Sequence, residues 1–394
     1  MIPHFESVLL IQQHEILMED FMKKMLGMSL MILVSALFAA TAFADTIKIG
    51  VQAPTTGQYA NEGQGIDNAT RLFAEQYNAK GGLLGKKLEV FTCDDEGQAM
   101  KAAICAKELV NKGVIMVIGS YTSTAALAAQ KTYYRAGVLQ TTDGTSDDLV
   151  KNSYWTFFRN SNPNSAAAVF TADYMVKQAK FKRIAIISDY SSYAQGLAAA
   201  VTKETEAIKG NIVYSGKIKA GSQNFTPVLT KMKSLNPDVI YFAGYYADGG
   251  LLRAQQKQLG IDAEFIGGDA NDNVDFVKLA GAAATDAKII NVPTPDMLPY
   301  DLAKTFLADY KAKYGKDIPS IWALLNADGL LAFLTAIEKT GSTDTKKLSK
   351  WLHNNELNGI SGKLKWDERG ERVGAAFMVY NIKADGSYGV AFPK

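Results

Sequence analysis

From residue 46 onward the chain alternates apolar, strand-like runs with helical stretches, and no other feature limits its fold as much. TIKIGVQA (46–53), LEVFTC (88–93), VIMVIG (114–119) and GVLQTT (137–142) have the length and composition of buried strands. Between them lie IDNATRLFAEQYNA (66–79), QAMKAAICAKELVN (98–111) and TAALAAQKTYYRA (124–136), whose apolar residues recur at helical spacing. A β-α-β-α order predicts a parallel sheet covered by helices. The rhythm pauses at Arg159-Asn-Ser-Asn-Pro163 and then restarts. Helices are expected at 165–179, 194–207, 225–235 and 249–259, alternating with strands at 183–189, 211–218, 239–244 and 264–269. A Pro-rich link (292–299) follows, then helices near 300–314, 323–339 and 345–354 with no strands of their own. These three are expected to cover an earlier lobe. The last stretch (362–392) reads as antiparallel strands, with turns at Glu368-Arg-Gly370 and Asp385-Gly386. A chain of 394 residues suits about two such units.

The N-terminus lies outside this pattern. Residues 22–44 read MKKMLGMSLMILVSALFAATAFA, a basic start, an apolar middle and the small-x-small end Ala42-Phe43-Ala44. That layout is a secretory signal peptide. Residues 1–21 carry Glu6, Glu15, Glu19 and Asp20 but no Lys or Arg, so residues 1–44 are read as an extension plus signal, with translation expected to start at Met22. No Cys lies near the expected cleavage point, so the exported protein is expected in the periplasm without a lipid anchor. Cys93 and Cys105 both follow the leader, one at a strand end and one on the next helix. An even count in an exported chain favours a disulfide. Two buried thiols are the alternative.

Several function classes drop out. Net charge is +2 with no dense basic run, so no nucleic-acid footprint is expected. Of three histidines, only His353 follows the leader, on a polar helix where a surface position is expected. A zinc site built from several His is excluded, and no Gly-x-Ser-x-Gly is present for a hydrolase. Gly63-Gln-Gly65 lacks the third Gly of a dinucleotide loop, and Gly85-Lys86-Lys87 lacks the hydroxyl of a phosphate loop. The acidic stretch 269–275 has Val274 where a calcium loop requires Gly. No cofactor and no metal are expected.

Ligands of open parallel sheets bind at the carboxyl ends of strands. In the first unit those ends deliver two hydroxyl clusters, Ser120-Tyr121-Thr122-Ser123-Thr124 and Thr141-Thr142-Asp143-Gly144-Thr145-Ser146. The first opens a helix, whose free N–H groups and positive end favour an anion. Simple capping would explain one hydroxyl but not two neighbouring clusters. In the second unit the strand ends supply Asp189 with Tyr193, Gly244-Tyr245-Tyr246, and Asp269. An acid among aromatic rings seats an ammonium group. Core packing of the tyrosines and capping by the acids are the alternatives. Together the two lobes present an anion seat facing a cation seat, a site for a zwitterion such as an α-amino acid.

At these residues the chain resembles the periplasmic solute-binding proteins for branched-chain amino acids, of the leucine/isoleucine/valine type, that serve ABC importers. The likeness runs over nearly all of residues 45–390. It is carried by IKIGVQAPTTGQYANEGQG, YNAKGGLLGKKLEV, Asp94-Asp95, IGSYTSTA, RIAIISDYSSYAQGLA, LLRAQQKQLG, FIGGD and GKLKWDERGE. The resemblance implies the type I periplasmic binding protein fold, α/β, with two Rossmann-like lobes joined by a three-segment hinge near 160–163, 291–294 and 362–366. Lobe 1 would comprise 45–160 and 294–362, and lobe 2 would comprise 161–293 and 363–394. It implies that Ser123 and Thr145, with Tyr121 and Thr122, hold the ligand carboxylate. Asp269, where the family usually has Glu, would hold the ammonium with Tyr193 and Tyr245. Trp322, Glu62 and Tyr246 would line the side-chain pocket, Glu62 standing where a Tyr is common. The implied function is capture of a small amino acid, branched-chain or otherwise apolar, by a monomer that delivers it to an inner-membrane permease complex. An aromatic acid, an amide or a urea-like ligand is the alternative, as is a chemosensory receptor. An enzyme working through Asp143, Asp189 or Asp269 is the least expected reading.

Overall fold

The computed structural model describes residues 46–374 and 376–393, with Met18 and Met22 besides. The expected leader and its cleavage site lie outside the described residues.

Strands β1 (Ile47–Ala53), β2 (Leu88–Asp94), β3 (Met116–Gly119), β4 (Leu139–Thr142) and β5 (Phe157–Arg159) form a sheet in the order β2-β1-β3-β4-β5. Every pairing in it is parallel. Helices α1 (Ala60–Ala79), α2 (Ala99–Asn111) and α3 (Ser123–Ala136) make the crossovers. Gly63 lets α1 press on the end of β1, since a Cβ there would fall 2.1 Å from the Pro54 carbonyl oxygen. Gly137 stops α3 in the left-handed conformation (φ 69°) that side chains disfavour.

The second sheet repeats the plan. Helix α4 (Asn164–Asp173) ends in a π turn and leads to β6 (Ile184–Ser188). Then come α5 (Ser192–Ala207), β7 (Ile212–Lys217), α6 (Thr226–Lys233), β8 (Val239–Ala243), α7 (Tyr246–Gln258), β9 (Glu264–Gly267), α8 (Val274–Ala280) and β10 (Lys288–Asn291). Helices α9 (Asp301–Tyr314), α10 (Ile321–Thr340) and α11 (Thr345–Asn354) follow, then a small ladder of β11 (Leu357–Gly359) and β12 (Gly362–Leu364). Strands β13 (Met378–Ile382) and β14 (Tyr388–Phe392) close the sheet antiparallel, in the order β14-β13-β10-β9-β8-β6-β7. Each sheet therefore reverses its winding once, between β1 and β3 and between β6 and β8. Helix α10 is buried almost all round because it packs on α1, β3 and β4.

The structure adds elements that periodicity does not reveal. Strands β5 and β10 are only 3 and 4 residues long and sit beside the interruptions at 159–163 and 292–299. Helix α8 begins at the end of the acidic stretch and is only 7 residues long, too short to show a helical period. Helix α1 starts six residues before the expected 66 because its first turn, although polar, is buried at Glu62 and Gly63. The expected Cys93–Cys105 disulfide is present and ties β2 to α2. His353 is half-buried rather than free on the surface: Nδ1 lies 2.8 Å from the Asp367 carbonyl oxygen, and the ring packs 4.8 Å from Phe158.

The chain segments that pass between the sheets are lashed together. Arg159, at the end of β5, is completely buried and donates to both Glu371 oxygens at 2.7 and 2.6 Å. Trp366 Nε1 donates to the Arg159 carbonyl oxygen at 2.7 Å, and Arg372 Nη1 to that of Asn160 at 2.7 Å.

Candidate functional site

The loops at the two winding reversals face each other and line a small cavity. The first sheet's side supplies Tyr121, Ser123, Asp143, Thr145 and Trp322, and the second supplies Tyr193, Tyr245, Asp269 and Ala270. Each of these side chains is nearly inaccessible, so the cleft is closed over the space.

Local geometry decides which hydroxyls reach it. Thr122 caps α3: its Oγ1 accepts from Ala125 N at 3.3 Å and donates to the Gly97 carbonyl oxygen at 3.0 Å. Thr122 is thus spent on the helix and does not line the cavity. Ser123, one residue on, does. Its Oγ accepts from Ser146 N at 3.2 Å, which leaves the hydroxyl proton to give. Thr145 Oγ1 is buried without a partner on the neighbouring loop. Arg159 Nη1 holds that loop by its carbonyls, at 3.3 Å from Gly144 O and 2.8 Å from Ser146 O. Two hydroxyls beside a helix N-terminus make an anion seat with no Lys or Arg in the lining.

Across the cavity stands Asp269. Its Oδ1 accepts from the Tyr193 hydroxyl and from Ala270 N. Burial pushes the carboxyl up to about 6, and the Tyr193 hydrogen bond offsets part of the effect. The Tyr245 ring lies 5.0 Å from Tyr193 and 5.6 Å from Tyr121, so aromatic faces wall the acid.

Two expected pocket residues stand elsewhere. Tyr246 begins α7 and packs edge-on against Tyr59 at 6.3 Å. Glu62 is fully buried where the lobes meet: Oε1 accepts from Asn273 Nδ2 at 2.5 Å and Oε2 from Ser320 Oγ at 2.8 Å. Asn61 reaches the same Asn273 at 3.2 Å. Asp189 accepts from Ser191 N at 2.7 Å, a loop cap outside the cavity.

Sequence reasoning missed Tyr59. It ends the short turn Gly57–Tyr59 after β1 and packs across the cleft on Tyr245, ring centroids 4.7 Å apart and planes tilted by 48°. Its position just before a helix that starts early was the available signal. Asp143, weighed only as a cap or an acid, lines the cavity with both oxygens free of hydrogen bonds. A larger, solvent-open hollow of about 400 Å³ lies by the crossing segments, lined by Val292, Met297, Leu298 and Arg372. Asn160 and Val292, which directly follow β5 and β10, place it at the crossing segments rather than at the winding reversals.

Comparison with known proteins finds relatives over most of the chain. The profile of the family described as periplasmic binding protein matches residues 46–387. The leucine-specific-binding protein of Salmonella typhimurium is 31% identical over 353 residues, 89% of this chain and 94% of that protein. The leucine-, isoleucine-, valine-, threonine-, and alanine-binding protein of Pseudomonas aeruginosa is 31% identical, over 89% of this chain and 96% of that one. Among solved structures, the branched-chain amino acid transporter substrate binding protein of Streptococcus pneumoniae in complex with isoleucine superposes with a TM-score of 0.80 at 28% identity, covering 89% of this chain and 100% of that chain.

Proposed function

The chain belongs to the periplasmic binding protein family and has its solute-binding role, and from this premise we propose that its ligand is a free α-amino acid held as a zwitterion between the lobes. Ser123 and Thr145 donate to the carboxylate. Asp269 takes the ammonium, with Tyr193 and Tyr245 offering ring faces to it. Tyr121, Tyr245 and Trp322 bound a compact side chain, of the size found in the branched-chain amino acids named for the relatives. The single observation that carries this proposal is the opposition, across one small cavity, of two hydroxyl donors on the first sheet's side and the buried Asp269 on the second's.

The mechanism is differential binding, with no bond chemistry. Ligand contacts on both lobes exist only in the closed form, so binding shifts the population toward closure. The closed monomer presents both lobes to an ABC permease. Export by the segment 22–44, without a lipid anchor, would put it in the periplasm.

A thermal-shift panel tests the proposal on protein unfolded and refolded to strip carried ligand. An amino acid at 100 times its Kd adds about 2.7 kcal/mol of stability. Asp269→Ala is expected to abolish that gain. If only carboxylates without an amine raise the melting temperature, the role of Asp269 is wrong and the aromatic-acid alternative takes over. Turnover of any amino acid or amide would refute the binding-only mechanism.

A further inference from the structure

A zwitterion held by Ser123, Thr145 and Asp269 leaves polar groups of the same cavity unused. Asp143 is 2% exposed, and neither carboxyl oxygen has a hydrogen bond. Asn326 is the polar side chain beside it: one Nδ2 hydrogen goes to the Trp322 carbonyl oxygen at 3.1 Å, and the second, directed at Asp143, offsets part of the effect of burial on that carboxyl but can serve only one of its two oxygens. Trp322 Nε1 and Tyr121 Oη are likewise buried without partners. All three side chains line the cavity. A buried polar group left unpaired loses its full hydration free energy, whereas one paired by the ligand recovers it.

Each class of side chain can be set against this lining. An aliphatic group pairs with none of the three. A cation pairs with Asp143 but offers no lone pair to Trp322 Nε1–H, a pure donor. An acidic group would lie in the field of Glu62 and Asp269, both close enough to act on Asp143. A hydroxyl or a carboxamide both donates and accepts. We infer that Asp143 is a specificity residue selecting an amino acid whose compact side chain carries an uncharged hydroxyl or amide, which donates to Asp143 and accepts from Trp322 or Tyr121. This step rests on the zwitterion reading above. Burial holds the Asp143 carboxyl well above the usual carboxylate range, which suits a neutral partner better than a cation.

Isothermal titration on refolded protein tests it with pairs of nearly equal size: threonine against valine, and asparagine against leucine. The polar member of each pair is expected to bind at least about tenfold tighter, the ratio that about 1.4 kcal/mol produces. Asp143→Ala should shrink both ratios to near unity. Trp322→Phe, which keeps an aromatic wall and removes only the Nε1–H, should narrow them as well and covers the case in which Asp143→Ala fails to fold. Valine and leucine binding the wild type as tightly as their polar partners would overturn the inference, as would lysine or arginine binding tightest. Binding by no amino acid at all would overturn the zwitterion reading itself, a result distinct from equal ratios.

Discussion

Replacing Glu62 by Gln should flatten the pH dependence of ligand binding. In the closed form this carboxyl is fully buried between Asn273 of one lobe and Ser320 of the other. Burial pushes it from 4.5 up to about 8, the two hydrogen bonds offset part of that, and Asp272 and Asp275 add to it. Opening the cleft returns the group to water and to its ordinary value. The closed form thus binds the proton more tightly. Its contribution to closure is fully present below about 4.5 and is lost as pH rises through about 8. Well inside that window closure takes up one proton, so affinity falls by about tenfold per pH unit; nearer 8 the slope halves, giving about a fiftyfold loss from pH 6 to 8. Asp269 acts in the opposite sense once an ammonium lies against it, because it must be ionised to hold that group and the contact favours the ionised form; affinity is therefore expected to fall again on the acid side, as that carboxyl takes up a proton. Titration calorimetry at pH 6, 7 and 8 on wild type and Glu62→Gln reads the difference directly. The amide can keep a contact to Asn273 and to Ser320 but cannot titrate. Equal pH slopes for the two proteins would refute the linkage.

Two further predictions concern the frame around the site. Glu371→Gln leaves the buried Arg159 guanidinium without its carboxylate, which should cost about 3–5 kcal/mol of stability in urea unfolding. It should also weaken ligand binding, since Arg159 holds the Gly144 and Ser146 carbonyls; a loss below about 1 kcal/mol, the range of an exposed pair, would show that the pair is not the anchor described. Reducing the Cys93–Cys105 bridge, whose cysteines are 12 residues apart, should cost about 3 kcal/mol, read as a lower urea midpoint with and without reductant.

Much of the architecture was legible in the chain. Apolar spacing marks most of the strands and helices, because burial on one face leaves a local, short-range pattern. The order of elements then makes the sheets parallel, and the carboxyl-end rule points to the loops after β3, β4, β8 and β9. Strands β5 and β10 escape because they are short and abut the interruptions at 159–163 and 292–299, which break the apolar run that marks the comparably short β3, β4 and β9. So does the first turn of α1, whose polar residues are buried by the other lobe rather than exposed.

Within those loops, residue type alone left the roles open. Thr122 and Ser123 are adjacent hydroxyls; the turn of α3 commits the first to a cap and aims the second at the cavity. Glu62 reads as a pocket residue, yet its partners Asn273 and Ser320 lie 211 and 258 positions away and make it an interlobe contact. Tyr59 meets Tyr245 only because the cleft is shut. Asp143 looks like any loop cap until its neighbours are seen to leave it unpaired. The sequence by itself determined the two-lobed α/β plan and the loops that carry the chemistry, since both follow from local periodicity and chain order. Only the tertiary structure decided which side chains share the cavity, which bridge the lobes and which are spent on capping. Those roles depend on distances between segments far apart in sequence, and no local pattern encodes them.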